Sequence, residues 1–228
     1  MQLQSEDMDL DSRPEDVRPL KRAELERLVE LGFFQGERVE LLRGVLCGDA
    51  QVRPLKRVEY EKMVELGFFQ DEHVELLHGV LVTMTPQGAI HAEVSSVLAE
   101  ILTLRLHQRA TIRCHSPFSA GDESSPEPDV GVYHRRSYAG GHPAEALLLI
   151  EVANSSLRHD RALKADVYAR AGVPEYWIVD LVHRTVEVWT EPADGQYRRL
   201  VTIERGGSIA LTAFPEVVIA VDEFLPPA

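Results

Sequence analysis

One apolar run constrains this chain more than any other feature: residues 146–153 read Ala-Leu-Leu-Leu-Ile-Glu-Val-Ala. Seven of the eight residues are apolar, which is typical of a strand that is buried on both faces of a sheet. The exception is Glu151, and an unpaired carboxylate in such a strand costs on the order of several kcal/mol. The run therefore predicts a cation or a hydrogen-bond network beside Glu151.

Two further residues suggest what that network is for. Asp129 stands 22 positions before Glu151, just ahead of another short apolar stretch, and Lys164 stands 13 positions after it on a predicted helix. Carboxylates on two strands and a lysine on a helix are the parts of a phosphodiesterase site that uses Mg²⁺ or Mn²⁺. We predict Asp129, Glu151 and the backbone carbonyl of Val152 as metal ligands, and Lys164 as a catalytic residue.

The position of the lysine departs from the common arrangement, in which it follows the glutamate by two residues on the same strand. Here that position is Ala153, so a helix must supply the lysine. Asp160, Lys164 and Tyr168 are spaced i, i+4, i+8 and share one helix face. Asp160 is predicted to cap this helix and to hold Lys164 in place.

Simpler readings of the same residues stay open. Glu151 would also be explained by a buried pair with an arginine, and Asp129 by a solvated turn after Pro128. Lys164 would be explained by an exposed pair with Asp160 while the Tyr168 ring packs into the core. The conjunction of the residues, rather than any one of them, favours the catalytic interpretation.

Composition limits the functional classes. The 228 residues carry a net charge of −13, which gives no support to a DNA partner, although Arg135-Arg136 and Arg198-Arg199 form local basic clusters. The longest apolar run is too short to cross a membrane, and the acidic N-terminus does not resemble a secretory signal. The two cysteines, Cys47 and Cys114, are far apart, which favours free thiols in a reducing cytoplasm.

The chain contains an internal repeat. Residues 18–46 recur as residues 53–81, and 22 of the 29 aligned positions are identical. Each copy reads as an amphipathic helix, a glycine turn and a strand that enters a second glycine turn. We predict three parts: a disordered acidic tail (1–17), a duplicated helix-strand appendage (18–52) and a nuclease domain (53–228).

The remaining pattern predicts an α+β fold, with a mixed β-sheet flanked by helices and a β-rich C-terminal part. Helices are expected over residues 89–108 and 161–171. The expected strands cover residues 111–118, 130–133, 147–153, 176–180, 185–190, 197–203, 208–211 and 217–221. In the C-terminal part, Trp189, Tyr197 and Phe214 are candidates for a dimer interface or a substrate wall, or are ordinary core residues.

Several motifs together resemble those of the Uma-two family of bacterial restriction endonucleases, within the PD-(D/E)XK nuclease superfamily. They are Pro126-Glu-Pro-Asp-Val130, Leu149-Ile-Glu-Val-Ala-Asn-Ser-Ser-Leu157, Asp160-Arg-Ala-Leu-Lys164, the segment 168–180, Val74-Glu-Leu-Leu-His-Gly-Val-Leu-Val82 and Gly88-Ala-Ile-His-Ala92. The resemblance runs from about Arg53 to the C-terminus. It implies a restriction-endonuclease-like αβ core and divalent-metal catalysis.

By the same resemblance, Asp129 and Glu151 fall on the metal carboxylates and Lys164 on a migrated lysine. Glu75 falls on the N-terminal glutamate of the family, an extra metal or water ligand, with an exposed strand residue as the alternative. Glu40 is its equivalent in the first copy. His91 falls on a histidine at a helix start, for which a structural hydrogen bond is the favoured reading.

The predicted function is a Mg²⁺-dependent endonuclease that hydrolyses phosphodiester bonds of DNA in the cytoplasm. The alternative is a catalytically idle binding or assembly module that keeps the nuclease fold. A homodimer is left open, and no membrane partner is predicted.

Overall fold

The computed structural model describes residues 17–49, 51–84, 86–154 and 156–226. The chain forms two compact units, Met1–Met84 and Thr85–Ala228. Apart from Val17, the acidic tail predicted for residues 1–17 lies outside the described residues. The predicted division between residues 52 and 53 stays a prediction.

In the first unit, each copy of the repeat forms a helix followed by an antiparallel hairpin, as the sequence pattern predicts. The hairpin turns at Gly44 and Gly79 have φ values of +83° and +73°, and an added Cβ would lie 2.4 Å from Pro19 and 2.2 Å from Pro54. Only glycine fits such positions without strain. The elements of this unit are α1 (Arg22–Glu30), β1 (Val39–Leu42), β2 (Val45–Gly48), β3 (Gln51–Val52), α2 (Arg57–Glu65), β4 (Val74–Leu77) and β5 (Val80–Thr83).

A buried arginine pairs with two carboxylates in this unit. The Nε of Arg18 donates to Glu72 at 2.8 Å, and its guanidinium also binds Glu24. Hydrogen bonds from Arg18 and, to a smaller extent, from Lys21 lower the pKa of Glu72 to about 2. The carboxylate of Glu72 therefore stabilises the unit only while it is ionised.

We expect the Glu72→Gln variant to lose about 1 kcal/mol of unfolding free energy at neutral pH. The pKa of Glu72 lies below its ordinary 4.5, so this stabilisation is fully present above pH 4.5 and is lost as the pH falls towards about 2. Urea unfolding of both proteins across this range should show the difference shrinking steadily. A difference that does not change with pH would contradict the pairing.

The second unit contains a six-stranded mixed sheet with the order β11-β10-β9-β8-β7-β6. Strands β8 and β9 are parallel, and the other neighbouring pairs are antiparallel. The predicted mixed α+β fold is confirmed. The strands of the sheet are β6 (Ala110–Cys114), β7 (Val130–His134), β8 (Leu148–Ala153), β9 (Glu175–Asp180), β10 (Thr185–Ala193) and β11 (Gln196–Glu204).

Helical segments cover the two faces of this sheet. Helix α3 (Ala89–Leu106) packs leucines spaced four residues apart against the face that carries Val130, Ile150 and Trp177. The parallel pair β8 and β9 requires a crossover, and residues 157–170, here named the crossover segment, provide it on the opposite face. It consists of α4 (Leu157–His159), a π-helical turn (Asp160–Lys164) and α5 (Ala165–Arg170).

The C-terminal part completes the core beside α3. Strands β12 (Ser208–Leu211) and β13 (Phe214–Ala220) form an antiparallel hairpin that ends in a 3-10 turn, Val221–Glu223. Ring contacts inside the unit engage the aromatic residues singled out above: Tyr197 contacts Trp189 at 6.3 Å, and Arg109 lies over Phe214 at 4.9 Å. The three aromatic side chains are half-buried, and Phe214 packs against the apolar core of the unit. In the part of the chain that is described, no helix is long and apolar enough to cross a membrane.

Candidate active site

Two buried carboxylates stand at the ends of neighbouring strands. Asp129 immediately precedes β7, and Glu151 lies inside β8; their residues are 6% and 4% exposed. The antiparallel register pairs Val130 with Ile150, so its continuation by one step sets the backbone of Asp129 beside that of Glu151. The two residues that sequence reasoning selected are therefore brought to one place.

The backbone of Val152 points towards Asp129. Its amide donates to the Oδ2 of Asp129 at 2.7 Å. The carbonyl of the next residue, Ala153, accepts from Leu181 on the β9 side. Because successive residues of a strand alternate the side to which their N–H and C=O groups point, the carbonyl of Val152 faces the Asp129 side as well. A carbonyl that points in this direction is suited to the role predicted for Val152, that of a third metal ligand beside Asp129 and Glu151.

A shell of imidazole and amide groups surrounds Asp129. The Nε2 of His91 lies 3.1 Å from Oδ2, while the Nδ1 of His115 and the Nε2 of Gln87 lie 3.4 Å and 3.3 Å from Oδ1. Both contacts to Oδ1 are long for hydrogen bonds, so this oxygen is the less firmly held of the two.

The shell keeps Asp129 ionised. Burial alone would raise the pKa of Asp129, but hydrogen bonds from His115, His91 and the Val152 amide outweigh it and hold the pKa well below its usual range. The same contact with Asp129 raises the pKa of His115. The carboxylate of Asp129 is therefore ionised at neutral pH, which is the form that a metal ion binds.

Glu151 is held by two groups of the crossover segment. Its Oε1 accepts from the Nζ of Lys164 at 2.9 Å and from the hydroxyl of Tyr168 at 2.7 Å. Lys164 and Asp160 are both buried, so the lysine is not part of an exposed surface pair. The helix face predicted from the i, i+4 spacing does point at the strand.

The predicted capping role of Asp160 is wrong. The helical segment begins earlier, at Leu157, and Asp160 starts the π-helical turn within it. Its carboxylate accepts from the hydroxyl of Ser156 at 2.7 Å. Single π-helical turns inside helices are frequent at functional sites, and this one ends at Lys164.

Glu75 lies on β4 in the first unit and is buried, whereas its counterpart Glu40 is exposed. The alternative of an exposed strand residue is therefore wrong for Glu75. Its catalytic role stays a prediction.

Sequence reasoning missed two members of the shell. His115 follows the end of β6, and Gln87 precedes α3, and neither position carries a local signal for a contact with Asp129. The only available hint was the histidine at the helix start, His91, whose predicted structural hydrogen bond is made to Asp129.

The donor set fits a hard divalent cation. No group of three or more His, Cys, Asp or Glu side chains within residues 17–49, 51–84, 86–154 and 156–226 could hold a metal ion. Two carboxylates and a backbone carbonyl are nevertheless the oxygen ligands that Mg²⁺ takes while it keeps several waters. The weakly held Oδ1 of Asp129 is compatible with such a ligand.

Tyr133 on β7 carries a buried hydroxyl. Its ring folds back over Gly131, where an added Cβ would lie 2.3 Å from the hydroxyl oxygen. The hydroxyl is buried, and no described residue forms a hydrogen bond with it. Burial raises the pKa of Tyr133 above its ordinary value, so the hydroxyl stays protonated.

The two tyrosines provide a matched pair of variants. Tyr168→Phe removes a hydrogen bond to a buried carboxylate, so we expect a loss of about 2 kcal/mol of unfolding free energy. Tyr133→Phe removes an unsatisfied hydroxyl, so we expect no loss or a small gain. Chemical denaturation measures both; equal losses would contradict the different partners of the two hydroxyls.

Comparisons with known proteins agree with this fold. A solved structure from Anabaena variabilis, described as "a putative nuclease belonging to DUF820", aligns with a TM-score of 0.60 and 18% identity, covering 75% of this chain and 98% of that chain. No curated protein sequence matches. The sequence model of the Uma2 family, described as "Putative restriction endonuclease", matches residues 57–222, more than half of the chain. The chain therefore belongs to the Uma2 family of nucleases.

Proposed function

We propose that this protein is a Mg²⁺-dependent endonuclease that hydrolyses phosphodiester bonds of DNA. The observation that carries the proposal is that two buried carboxylates, Asp129 and Glu151, stand opposite each other in the register of neighbouring strands, with Lys164 hydrogen-bonded to Glu151. The family description of the Uma2 match supports the same activity. We assign this activity to residues 53–228 and propose that residues 18–52 are an appendage. The family match, residues 57–222, lies inside the range 53–228.

In this proposal the metal ion is held by Asp129, Glu151 and the carbonyl of Val152. Mn²⁺ can serve in place of Mg²⁺. When bound, the ion supplies charge neutralisation at the phosphate and a bound water that ionises more readily. Glu75 is proposed as an additional metal or water ligand. The shell around Asp129 serves to keep its carboxylate ionised and oriented.

Lys164 has two candidate tasks next to Glu151. Its ammonium group orients the attacking water, or it stabilises the negative charge that develops on the phosphate. Tyr168 shares the Oε1 of Glu151 with Lys164 and so fixes the position of both. Burial of this group strengthens each of these electrostatic contacts.

The proposed substrate and location are based on the family description and on the composition of the chain. The description "restriction endonuclease" favours DNA over RNA, while the net charge of −13 provides no general attraction to either. Cys47 and Cys114 are both free thiols, which suits the cytoplasm.

The test is a cleavage assay of the purified chain on plasmid, single-stranded DNA and RNA. We expect Mg²⁺ or Mn²⁺ to support cleavage of DNA. In Asp129→Asn the amide oxygen still accepts from Val152, but we expect cleavage to fall at least about 100-fold. Equal trace cleavage by the wild type and this variant would favour the idle binding module.

Removal of the metal gives an independent prediction. We expect a chelator to abolish cleavage and a stoichiometric excess of Mn²⁺ to restore it, because the oxygen ligands bind the ion reversibly. Far-ultraviolet circular dichroism should stay unchanged throughout, since the hydrogen bonds of the fold do not need the ion. Cleavage that survives the chelator would contradict metal dependence.

A further inference from the structure

The two copies of the repeat contact each other through pairs of contacts that are related by 35 positions. The amide of Arg18 donates to the carbonyl of Leu81 at 2.8 Å, and the amide of Arg53 donates to the carbonyl of Leu46 at 2.8 Å. In one hydrogen bond the first copy (residues 18–46) donates to the second copy (residues 53–81). In the other, the second copy donates to the first.

The side chains follow the same rule. The Nε of Arg18 donates to Glu72 at 2.8 Å, and the Nε of Arg53 donates to its counterpart Glu37 at 2.9 Å. The guanidinium groups also lie over equivalent rings in the other copy: Arg18 over Phe69 at 5.2 Å and Arg53 over Phe34 at 4.8 Å.

The flanking residues repeat the pattern once more. Val17 forms an antiparallel bridge with Val82, and Val52 pairs with Cys47, which is the counterpart of Val82. Thus the residue before each copy pairs with the hairpin of the other copy.

Reciprocal contacts of this kind define an isologous interface. When residue i of one partner contacts residue j of the other, and j contacts i in return, two identical surfaces meet across a two-fold axis. Such interfaces normally join two identical chains. Here 22 of 29 identical positions make the two copies nearly identical partners within one chain.

The interface is also the core of the first unit. Equivalent residues of the two copies are buried together in one apolar cluster, including the pairs Leu28 with Met63 and Leu46 with Leu81. A copy that lost its partner would expose this surface to water, and large exposed apolar patches favour association. The family match begins at residue 57, so the first copy lies outside it.

We propose that the first copy is an intramolecular substitute for a second chain. It covers the surface of the second copy that another molecule of this protein would cover through the same contacts. The intact chain is therefore closed at this surface, and the partner that fits the surface, once the first copy is displaced, is the second copy of another molecule.

The reciprocal pairing specifies which residues would meet in that dimer. Val52 of one chain would lie opposite Val82 of the other, since 52 is equivalent to 17 and 82 to 47. In the intact chain these two positions face Cys47 and Val17 instead. A disulfide between positions 52 and 82 therefore reports only the new dimer.

The experiment uses the full-length chain with Val52→Cys and Val82→Cys, after both native cysteines are replaced by serine. This protein should remain a monomer of 25.6 kDa by sedimentation and should not crosslink on oxidation. Adding Leu28→Asp disrupts only the first copy. We expect the mass to double and a covalent dimer to appear on a non-reducing gel.

Two further variants keep the test decisive. Adding Met63→Asp to Leu28→Asp disrupts both copies and should abolish the dimer. Glu37→Arg with Phe34→Ala removes the side-chain contacts of Arg53 to Glu37 and Phe34 without placing a charge in the core. This variant should give the same covalent dimer in lower yield. The proposal is overturned if the otherwise intact chain crosslinks. It is also overturned if the Leu28→Asp variant and the Glu37→Arg, Phe34→Ala variant both remain folded monomers, or if they aggregate without the 52–82 disulfide.

Discussion

Replacement of Glu151 with glutamine is expected to lower DNA cleavage at least about 100-fold, because the side chain would lose the charge that we propose holds the metal ion. The amide oxygen of the new side chain can still accept from Tyr168, so the fold should persist. The weaker bond to Lys164 should cost about 2 kcal/mol of unfolding free energy. Cleavage rates measure the loss of activity, and calorimetric titration with Mn²⁺ measures the loss of metal binding.

A second buried glutamate provides the control. Glu175 lies on β9, where it accepts from the indole of Trp177 at 2.7 Å on the opposite face of the sheet from Glu151. Burial raises the pKa of Glu175 above its ordinary value. Glu175→Gln should therefore cleave DNA and bind Mn²⁺ as the wild type does. Equal losses in both variants would assign the effect of Glu151→Gln to the fold.

Lys164→Met is expected to separate the lysine from the carboxylates. Loss of the ammonium group should lower cleavage about 100-fold, since it removes one charged donor beside the reacting phosphate. Mn²⁺ binding should persist or become tighter, because the cation that competes for Glu151 is gone. This pattern, low cleavage with retained metal binding, differs from the pattern expected for Glu151→Gln.

The control for this variant is Lys62→Met, which changes an exposed lysine whose partner is Glu65 on the same helix. It should leave cleavage and metal binding unchanged. If Lys164→Met cleaves DNA at the wild-type rate, Lys164 is only a structural partner of Glu151. If Lys164→Met loses both cleavage and Mn²⁺ binding, the assignment of separate roles to the lysine and the carboxylates is wrong.

Local patterns predicted the elements that carry the candidate site. The apolar run around Glu151 indicated a buried strand because burial on both faces leaves a continuous apolar sequence. The i, i+4 spacing of Lys164 and Tyr168 indicated one helix face, and both side chains reach Glu151. Such periodicities are properties of single elements and are visible in the sequence.

Contacts between distant elements were not predictable in the same way. His115 and Gln87 reach Asp129 because the sheet and helix α3 bring the ends of separate segments together. The helical segment begins at Leu157, before Asp160, because Ser156 is its N-cap residue, which is why Asp160 was misassigned as a cap. The repeat was evident, but the reciprocal pairing of its copies depends on their packing.

A crystal of the full-length chain soaked in Mn²⁺ tests the central claim most directly. We expect one strong anomalous peak within coordination distance of both the Asp129 and the Glu151 carboxylates, and no such peak in Glu151→Gln crystals. Absence of a peak between these residues at saturating Mn²⁺, or a peak at another site alone, would contradict a metal-dependent nuclease centred on Glu151.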